Sequence, residues 1–470
     1  MIGLPISIRH AHKERIPKWK ALAVLSSDAL SSVAYATEEI LIPLAAFSLA
    51  AISWSMPIAL AIVVLLIIVT ASYRQTIDAY PGGSGAYYVA KENLGVHAGL
   101  VAGASLLIDY VLTVAVSVAA GVENLASALP ALQQHKEGIG AIVILMIMLL
   151  NLRGIRESAS IFAIPTYWFI FSFLFMIGVS IWRLMTGAMV PVAPIVHETY
   201  PAIPMFLLLR AFASGCAALT GVEAISDGVS VFKPPQQKNA KTTLVWMSLI
   251  LATLFLSITL LSHMYGLTPK PGQTAVSLLA RAVFGDGWWF YSIQAATASI
   301  LFLAANTSYS DFPRLSSFLA KDRYLPRQLA SLGDRLVFSN GIMGLSLAAI
   351  ALIVIYKGDT HHLIPLYAIG VFLSFTLSQS GMVLHHWREK KTGWATSMMF
   401  NATGAVTTFA VLCVLVYTKF LAGAWLIIIL IPAMVFFFKR INIHYLSVGK
   451  ELSLLGQIAP GKLEPVKHTV

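Results

Sequence analysis

The stretch Leu25-Ser-Ser-Asp-Ala-Leu-Ser-Ser-Val-Ala-Tyr35 decides the fold. It sets a carboxylate, four serine hydroxyls and a phenol inside the first apolar run long enough to cross a bilayer. A charged side chain at the centre of a membrane costs at least ~2.5–3.5 kcal/mol, so an acid there marks a functional site by default. The stretch has a counterpart 189 residues on, where Ala29-Leu-Ser-Ser-Val33 aligns with Ala218-Leu-Thr-Gly-Val222 and the next residue is Glu223. Paired small-residue, polar interruptions in the two halves of a membrane protein point to a transporter's binding site.

The rest of the composition agrees. Of 470 residues, 57% are hydrophobic and 11% charged, where a soluble chain carries roughly 25% charged residues. Mean hydropathy is +0.77. With about 20 apolar residues needed per spanning helix, the chain offers twelve candidates. The first half gives Lys20–Ala51, Trp54–Tyr73, Val96–Ala128, Gly138–Leu152, Ser158–Trp182 and Ala202–Val231. The second gives Thr242–Tyr265, Trp288–Phe312, Ser339–Tyr356, Leu363–Leu384, Ala395–Tyr417 and Leu421–Phe438. These runs are continuously apolar and lack the alternation of a membrane barrel, so the fold class is an all-α polytopic membrane protein.

The formal net charge of +11 is explained by topology. With the N-terminus assigned to the cytoplasm, 25 Lys and Arg fall in cytoplasmic loops and tails and 6 outside. That bias obeys the positive-inside rule with both termini cytoplasmic, and it leaves no basic patch to read as a nucleic-acid partner. Cys216 and Cys413 lie within spans, which argues against a disulfide framework or a cysteine metal site. The basic start Arg9-His-Ala-His-Lys-Glu-Arg15 leads straight into a full span, as expected where no signal peptide is cleaved.

The chain divides into a cytoplasmic N-terminal segment (1–19), a transmembrane transporter domain (20–440) and a short cytoplasmic tail (441–470). The longest extramembrane pieces are Pro313–Phe338, an outer segment near Pro191–Pro201, and the tail. If the halves begin at spans one and six, equivalent elements have opposite topology, the inverted-repeat plan of secondary transporters. A helix broken in lipid frees backbone groups, and it survives where the break lines a protein-enclosed cavity. Freed carbonyls and hydroxyls then become cation ligands, while helix N-termini favour anions.

Asp28 lies about eight residues into span one, hence ~12 Å deep at ~1.5 Å per residue. It is either a cation or proton site, or else a helix N-cap or a polar pin between helices. In span three, Asp109, Thr113 and Ser117 are spaced i, i+4, i+8 on one helix face. Hydroxyls so placed either bond back to their own helix or line a site. Thr220 and Glu223 share the second break, where they face one cavity if the turn is helical. A carboxyl desolvated there becomes a proton carrier, so Glu223, with Asp28, is a proton-coupling candidate. Asp227 is expected to meet Lys233 or another basic loop residue. Glu38, Glu39 and Glu123 lie within spans without an evident role.

Other motifs are discounted. Pro81-Gly-Gly-Ser-Gly85 lacks the Lys-Ser/Thr ending of a phosphate loop and reads as a flexible or re-entrant connection. The pairs His361-His362 and His385-His386 sit at span ends and read as headgroup-level polar residues. No hydrolase or metalloprotease motif is present, so an enzyme is not expected.

Several segments carry a family resemblance. They are Ala23-Val-Leu-Ser-Ser-Asp-Ala-Leu-Ser-Ser-Val-Ala-Tyr-Ala-Thr-Glu38, Leu107-Ile-Asp-Tyr-Val-Leu-Thr-Val-Ala-Val-Ser117, and Leu209-Arg-Ala-Phe-Ala-Ser-Gly-Cys-Ala-Ala-Leu-Thr-Gly-Val-Glu-Ala-Ile-Ser226. With His362-Leu-Ile-Pro-Leu-Tyr367, they make the membrane part closely resemble the KimA-type potassium importers, a Kup-like branch of the amino acid–polyamine–organocation superfamily. The resemblance implies a LeuT-like fold of 5+5 inverted repeats with broken helices 1 and 6, and proton-coupled potassium uptake across a bacterial plasma membrane. It makes Asp28, Tyr35, Thr113, Ser117, Thr220, Glu223 and Tyr367 the ion-path residues, with Asp109 supporting from helix 3. Tyr367 enters through the resemblance alone. Potassium and protons would be the transported species, with no cofactor. Members of that family usually continue into a cytoplasmic domain for dimerisation and nucleotide control. This chain runs about 30 residues past its last span, so those properties, and the oligomeric state, are not carried over.

Three functions compete at this stage. Potassium needs a shell of oxygens to replace its water, and hydroxyls, a phenol, carbonyls and carboxylates offer one. An amino-acid permease would present bare N–H groups at the first break, where Asp28 would repel a substrate carboxylate; a cationic amino acid or polyamine would not be repelled. A non-transporting sensor would share the same sequence features.

Overall fold

In lipid every backbone N–H and C=O must be satisfied within its own segment, so membrane-length apolar runs fold as helices. The computed structural model describes residues 15–83, 85–153, 159–188, 203–333, 337–391 and 393–452. Among the described residues the β pairing is limited to two isolated bridges, Ile16 with Phe232 and Lys270 with Gln273. Helices α1 (Lys18–Leu25), α2 (Ser27–Ser31) and α3 (Val33–Phe47) divide the first predicted span. Then come α4 (Ser55–Ala79), α5 (Gly85–Leu94), α6 (Val96–Ala128), α7 (Lys136–Leu152) and α8 (Ala159–Met185). The second interrupted span holds α9 (Met205–Gly215) and α10 (Ala224–Asp227). It is followed by α11 (Gln236–Met264), α12 (Ala275–Phe284), α13 (Trp288–Lys321) and α14 (Ser339–Ile355). The chain then builds α15 (Thr360–Glu389), α16 (Trp394–Lys419) and α17 (Ala424–Glu451).

Among the described residues, ten helical segments are long and apolar enough to cross a membrane. The first predicted span is not among them because it is cut at Ser26 and Ser32. The ninth is not because α14 has 17 residues. The molecule is thus a multi-pass membrane protein. Exposed tryptophans sit near span ends, at Trp19, Trp54, Trp182, Trp288, Trp387 and Trp425, where amphipathic rings suit the headgroup level.

The centre of the bundle is α6, buried along nearly its whole length and packed against α13, α15 and α5. Small residues allow that closeness, because without a solvent-driven force between helices, backbone proximity supplies the contact. A Cβ on Gly121 would lie 2.5 Å from a ring carbon of Phe302 on α13. The α1 segment is pinned to α8 instead, through Tyr167 Oη to the Trp19 carbonyl (2.8 Å) and Thr166 Oγ1 to the Ala23 carbonyl (3.0 Å).

Several boundaries differ from the sequence reading. Pro313 does not end its helix: α13 runs on to Lys321, so the piece read as a loop from Pro313 begins as helix. A proline inside a membrane helix is tolerated where neighbouring groups re-satisfy the freed backbone. The tail after Arg440 likewise continues α17 to Glu451. Helices α5 and α12 were missed because ten residues cannot span a bilayer. The outer segment 191–201 lies outside the described residues.

Candidate functional site

The four serines flanking Asp28 satisfy backbone groups at the first break. Ser26 Oγ donates to the Leu22 carbonyl. Ser27 Oγ reaches the Val24 carbonyl (3.2 Å) and Ser31 Oγ the Asp28 carbonyl (2.8 Å). Ser32 Oγ bonds both the Ala29 carbonyl (2.6 Å) and, across the site, the Ala218 carbonyl (3.1 Å). They hold the broken chain rather than offering free ligands, the local competition with helix bonds that short hydroxyl side chains provide. Asp28 itself caps nothing: the N-cap of α2 is Ser26, and no side-chain capping bond is formed. Its Oδ1 is buried without a hydrogen-bond partner. The capping reading of Asp28 fails, and its charge is left for something else.

The second break passes through a 3₁₀ turn, Cys216–Leu219, into an extended Thr220 (φ −66°, ψ 145°) and a left-handed Gly221 (φ 78°). Thr220 and Glu223 are therefore not stacked on a helical turn, contrary to the sequence expectation. Gly221 is required twice over. Its φ suits glycine, and a Cβ there would stand 2.7 Å from Asp28 Oδ2 and 2.8 Å from the Ala29 nitrogen. The two breaks thus touch through this residue, and the Asp28 carboxylate lies directly against the backbone of the second break.

Around that contact the structure gathers most of the predicted residues. The Tyr35 phenol, on α3, lies near the Thr220 hydroxyl and within the fields of Asp28 and Asp109. The Tyr367 phenol, from α15, lies beside the Thr113 hydroxyl and near Asp28 and Tyr35. Thr113 Oγ1 has no hydrogen-bond partner, so it does not bond back to its own helix. Asp109, one turn away on α6, packs against Gly370 of α15 and interacts with both Glu223 and Asp28. Its Oδ1 and Glu223 Oε2 are also buried without partners. Ser117 is buried one turn beyond Thr113, and among the described residues no hydrogen bond ties it to either break. Asp28, Asp109, Glu223, Tyr35, Thr113, Thr220 and Tyr367 form one cluster, with Ser117 at its edge.

One neighbour escaped the sequence reading, and another was read only in part. Asp311, near the end of α13, adds its charge to the fields at Asp28 and Glu223. Its position inside the predicted span Trp288–Phe312 was the available signal. Asp227 meets not Lys233 but the other kind of partner expected for it, a basic residue of the piece that begins at Pro313: Arg314. Its carboxylate lies against Gly85 at about 3.2 Å from a built Cβ, in a small cavity of about 30 Å³ with Asp311, Arg314 and Tyr110. Arg314 pairs with Asp311 at 3.9 Å. Asp28, Glu223, Asp227 and Asp311 accordingly lie within one another's electrostatic reach as a single group of acids.

His361 is the other correction. Beyond being one of a pair of polar residues at a span end, it holds Glu39 Oε1 at 2.7 Å through Nδ1, with Nε2 3.6 Å from Glu38 Oε1. Nothing in the linear spacing announces a partner 322 residues away.

Spanning helices around a buried, cation-poor cluster of acids and hydroxyls at two touching helix breaks define a membrane transporter. The chain belongs to the amino acid permease family, whose model matches residues 17–438. It is 49% identical over 475 residues to the potassium transporter KimA of Bacillus subtilis (strain 168), an alignment covering 100% of this chain and 77% of that protein. Among solved structures, it is similar to the manganese transporter of Eremococcus coleocola in complex with an aromatic bis-isothiourea substituted compound. That match has 14% identity and a TM-score of 0.43, and it covers 94% of this chain and 98% of the other.

Proposed function

We propose that this protein imports potassium as a secondary active transporter, in symport with protons. The observation that carries the proposal is the set of orphaned oxygens, Asp28 Oδ1, Asp109 Oδ1 and Glu223 Oε2, buried together. Among the described residues no Lys or Arg forms an ion pair with any of the three. Carboxylates so placed need a proton or a cation, because a buried charge is retained when it is paired. The Tyr35, Thr113, Thr220 and Tyr367 hydroxyls supply neutral oxygens of the kind that replace potassium's water. The relative named for potassium transport supports the choice of ion.

In this reading Asp28, Tyr35, Thr113, Thr220 and Tyr367 hold the ion, Ser117 extends the path, and Glu223 with Asp28 exchanges the proton. Asp109 supports from α6, the third span. The three pieces α1–α3 act as one interrupted span and α9–α10 as its partner. The ten apolar segments already include α9–α10, so α1–α3 and α14 bring the total to twelve spans in a LeuT-like 5+5 inverted repeat, within a transporter domain over 20–440. Both termini face the cytoplasm, 1–19 and 441–470 forming short flanking segments, and the membrane is a bacterial plasma membrane.

The family's description favours a second reading, an amino-acid permease. Asp28 would repel a substrate carboxylate at the break, so that substrate would have to present an ammonium group to the same acids. Expression in a bacterium lacking its own potassium importers discriminates the two. Growth restored at limiting potassium is the expected result; growth that stays dependent on added potassium, with uptake of arginine or a polyamine gained, would overturn the potassium reading.

A further inference from the structure

Glu38 and Glu39 follow Tyr35 by three and four residues on α3, so they lie ~5–6 Å further along that helix. His361 precedes Tyr367 by six residues on α15, so it lies ~9 Å from it along the axis. The imidazole spans the two carboxylates, 2.7 Å to Glu39 Oε1 and 3.6 Å to Glu38 Oε1. Glu38 also accepts a bond from the Ala275 nitrogen (2.9 Å), at the first residue of α12. His361 is fixed in turn by Asp359, which accepts from its backbone N–H at 2.9 Å. Three elements, α3, α12 and α15, therefore close on one point.

On one side of this point lies the Asp28–Tyr35–Tyr367 cluster. On the other lies a cavity of about 650 Å³ lined by Glu38, Glu123, Lys136, Gln273, Asp359 and His361. Lys136 is bonded to Glu123 (3.4 Å) and so leaves Glu38 and Glu39 to His361. The further charge near Glu39 is the buried Lys419 ammonium, bonded to Ser214 of α9, and Lys419 in turn feels Arg210. Glu38 and Glu39 are 6% and 4% exposed. Separating such carboxylates from their imidazole leaves them bare unless water enters, so the contact has two stable conditions, closed and dry or open and wet.

We propose that the Glu38–His361–Glu39 bridge is the outer gate of the ion path, which opens when α15 and α12 draw His361 and Ala275 away from α3. The gate rests on the transporter reading for what passes through it, but it can be tested apart from any flux. Cys216, wholly buried at the start of the second break, is a native reporter behind the gate. In a Cys413→Ser chain, His361→Ala should speed labelling of Cys216 by a membrane-impermeant thiol reagent applied from outside. The gain should be ~10-fold or more, because an open state populated at a few per cent becomes the major one. Unchanged labelling would overturn the gate.

A second measurement covers a misfolded alanine variant. With Cys216 and Cys413 replaced by serine, Glu39→Cys with His361→Cys is joined by a one-carbon bis-methanethiosulfonate. Potassium uptake should stop on cross-linking and return with dithiothreitol. Chains shown by mass to be cross-linked, yet transporting at the reduced rate, would contradict the proposal. Absent flux in the unsubstituted protein would instead overturn the transporter reading and leave the labelling result standing.

Discussion

Asp28→Asn is expected to remove potassium uptake while leaving the protein folded and inserted. The carboxylate lies against Gly221 at the contact of the two breaks, with Oδ1 buried and unbonded. At ~4 Å and an effective dielectric near 20, a pair of unit charges is worth about 4 kcal/mol. Losing the charge therefore predicts a fall of ~10²–10³-fold in uptake at limiting potassium, since 1.4 kcal/mol is tenfold. Asparagine has nearly the same shape, and it relieves a buried charge that has no basic partner, so thermal stability in detergent should hold or rise. Uptake at the unsubstituted rate would remove Asp28 from the site. A lowered melting temperature would show that the carboxylate is a structural pin after all.

Glu223→Gln should separate ion movement from proton movement. Glu223 is the N-cap residue of α10, two residues past the left-handed Gly221, and its Oε2 is buried without a partner within the field of Asp28. A carboxyl there alternates between a protonated and a charged form as potassium arrives and leaves, and an amide cannot. In the unsubstituted protein an inward gradient of one pH unit supplies ~1.4 kcal/mol, hence up to about a tenfold increase in accumulation for one coupled proton. In Glu223→Gln that increase should vanish, and adding potassium should no longer draw protons inward. Acidification equal to that of the unsubstituted protein would assign coupling to another residue, with Asp28 or Asp109 next in line.

The sequence carried the site's centre because membrane helices make local signals expensive. An acid inside an apolar run costs several kcal/mol, so Asp28, Asp109 and Glu223 stood out one by one, and the echo of Ala29–Val33 at Ala218–Val222 located the second break. The roles of the serines were not legible. Composition suggests ligands, whereas Ser26, Ser27, Ser31 and Ser32 bond to carbonyls of the broken chain. Tyr367 and Thr113 met only on folding, and the resemblance rather than any spacing brought Tyr367 in. Contacts between distant elements were silent altogether. Glu39 and His361 each looked like isolated polar residues, and α12, which offers Ala275 to Glu38, is too short to register as a span. The same limit left open which basic residue Asp227 would meet, and folding chose Arg314, in a small cavity beside Gly85, over Lys233.

The most direct test of the account is flux into proteoliposomes containing the purified protein, with potassium, sodium and arginine compared, with and without an imposed proton gradient. The account predicts potassium accumulation that is accelerated by inward protons and accompanied by internal acidification, with sodium and arginine left outside. Arginine accumulation with no potassium movement, or no solute movement at all, would contradict it.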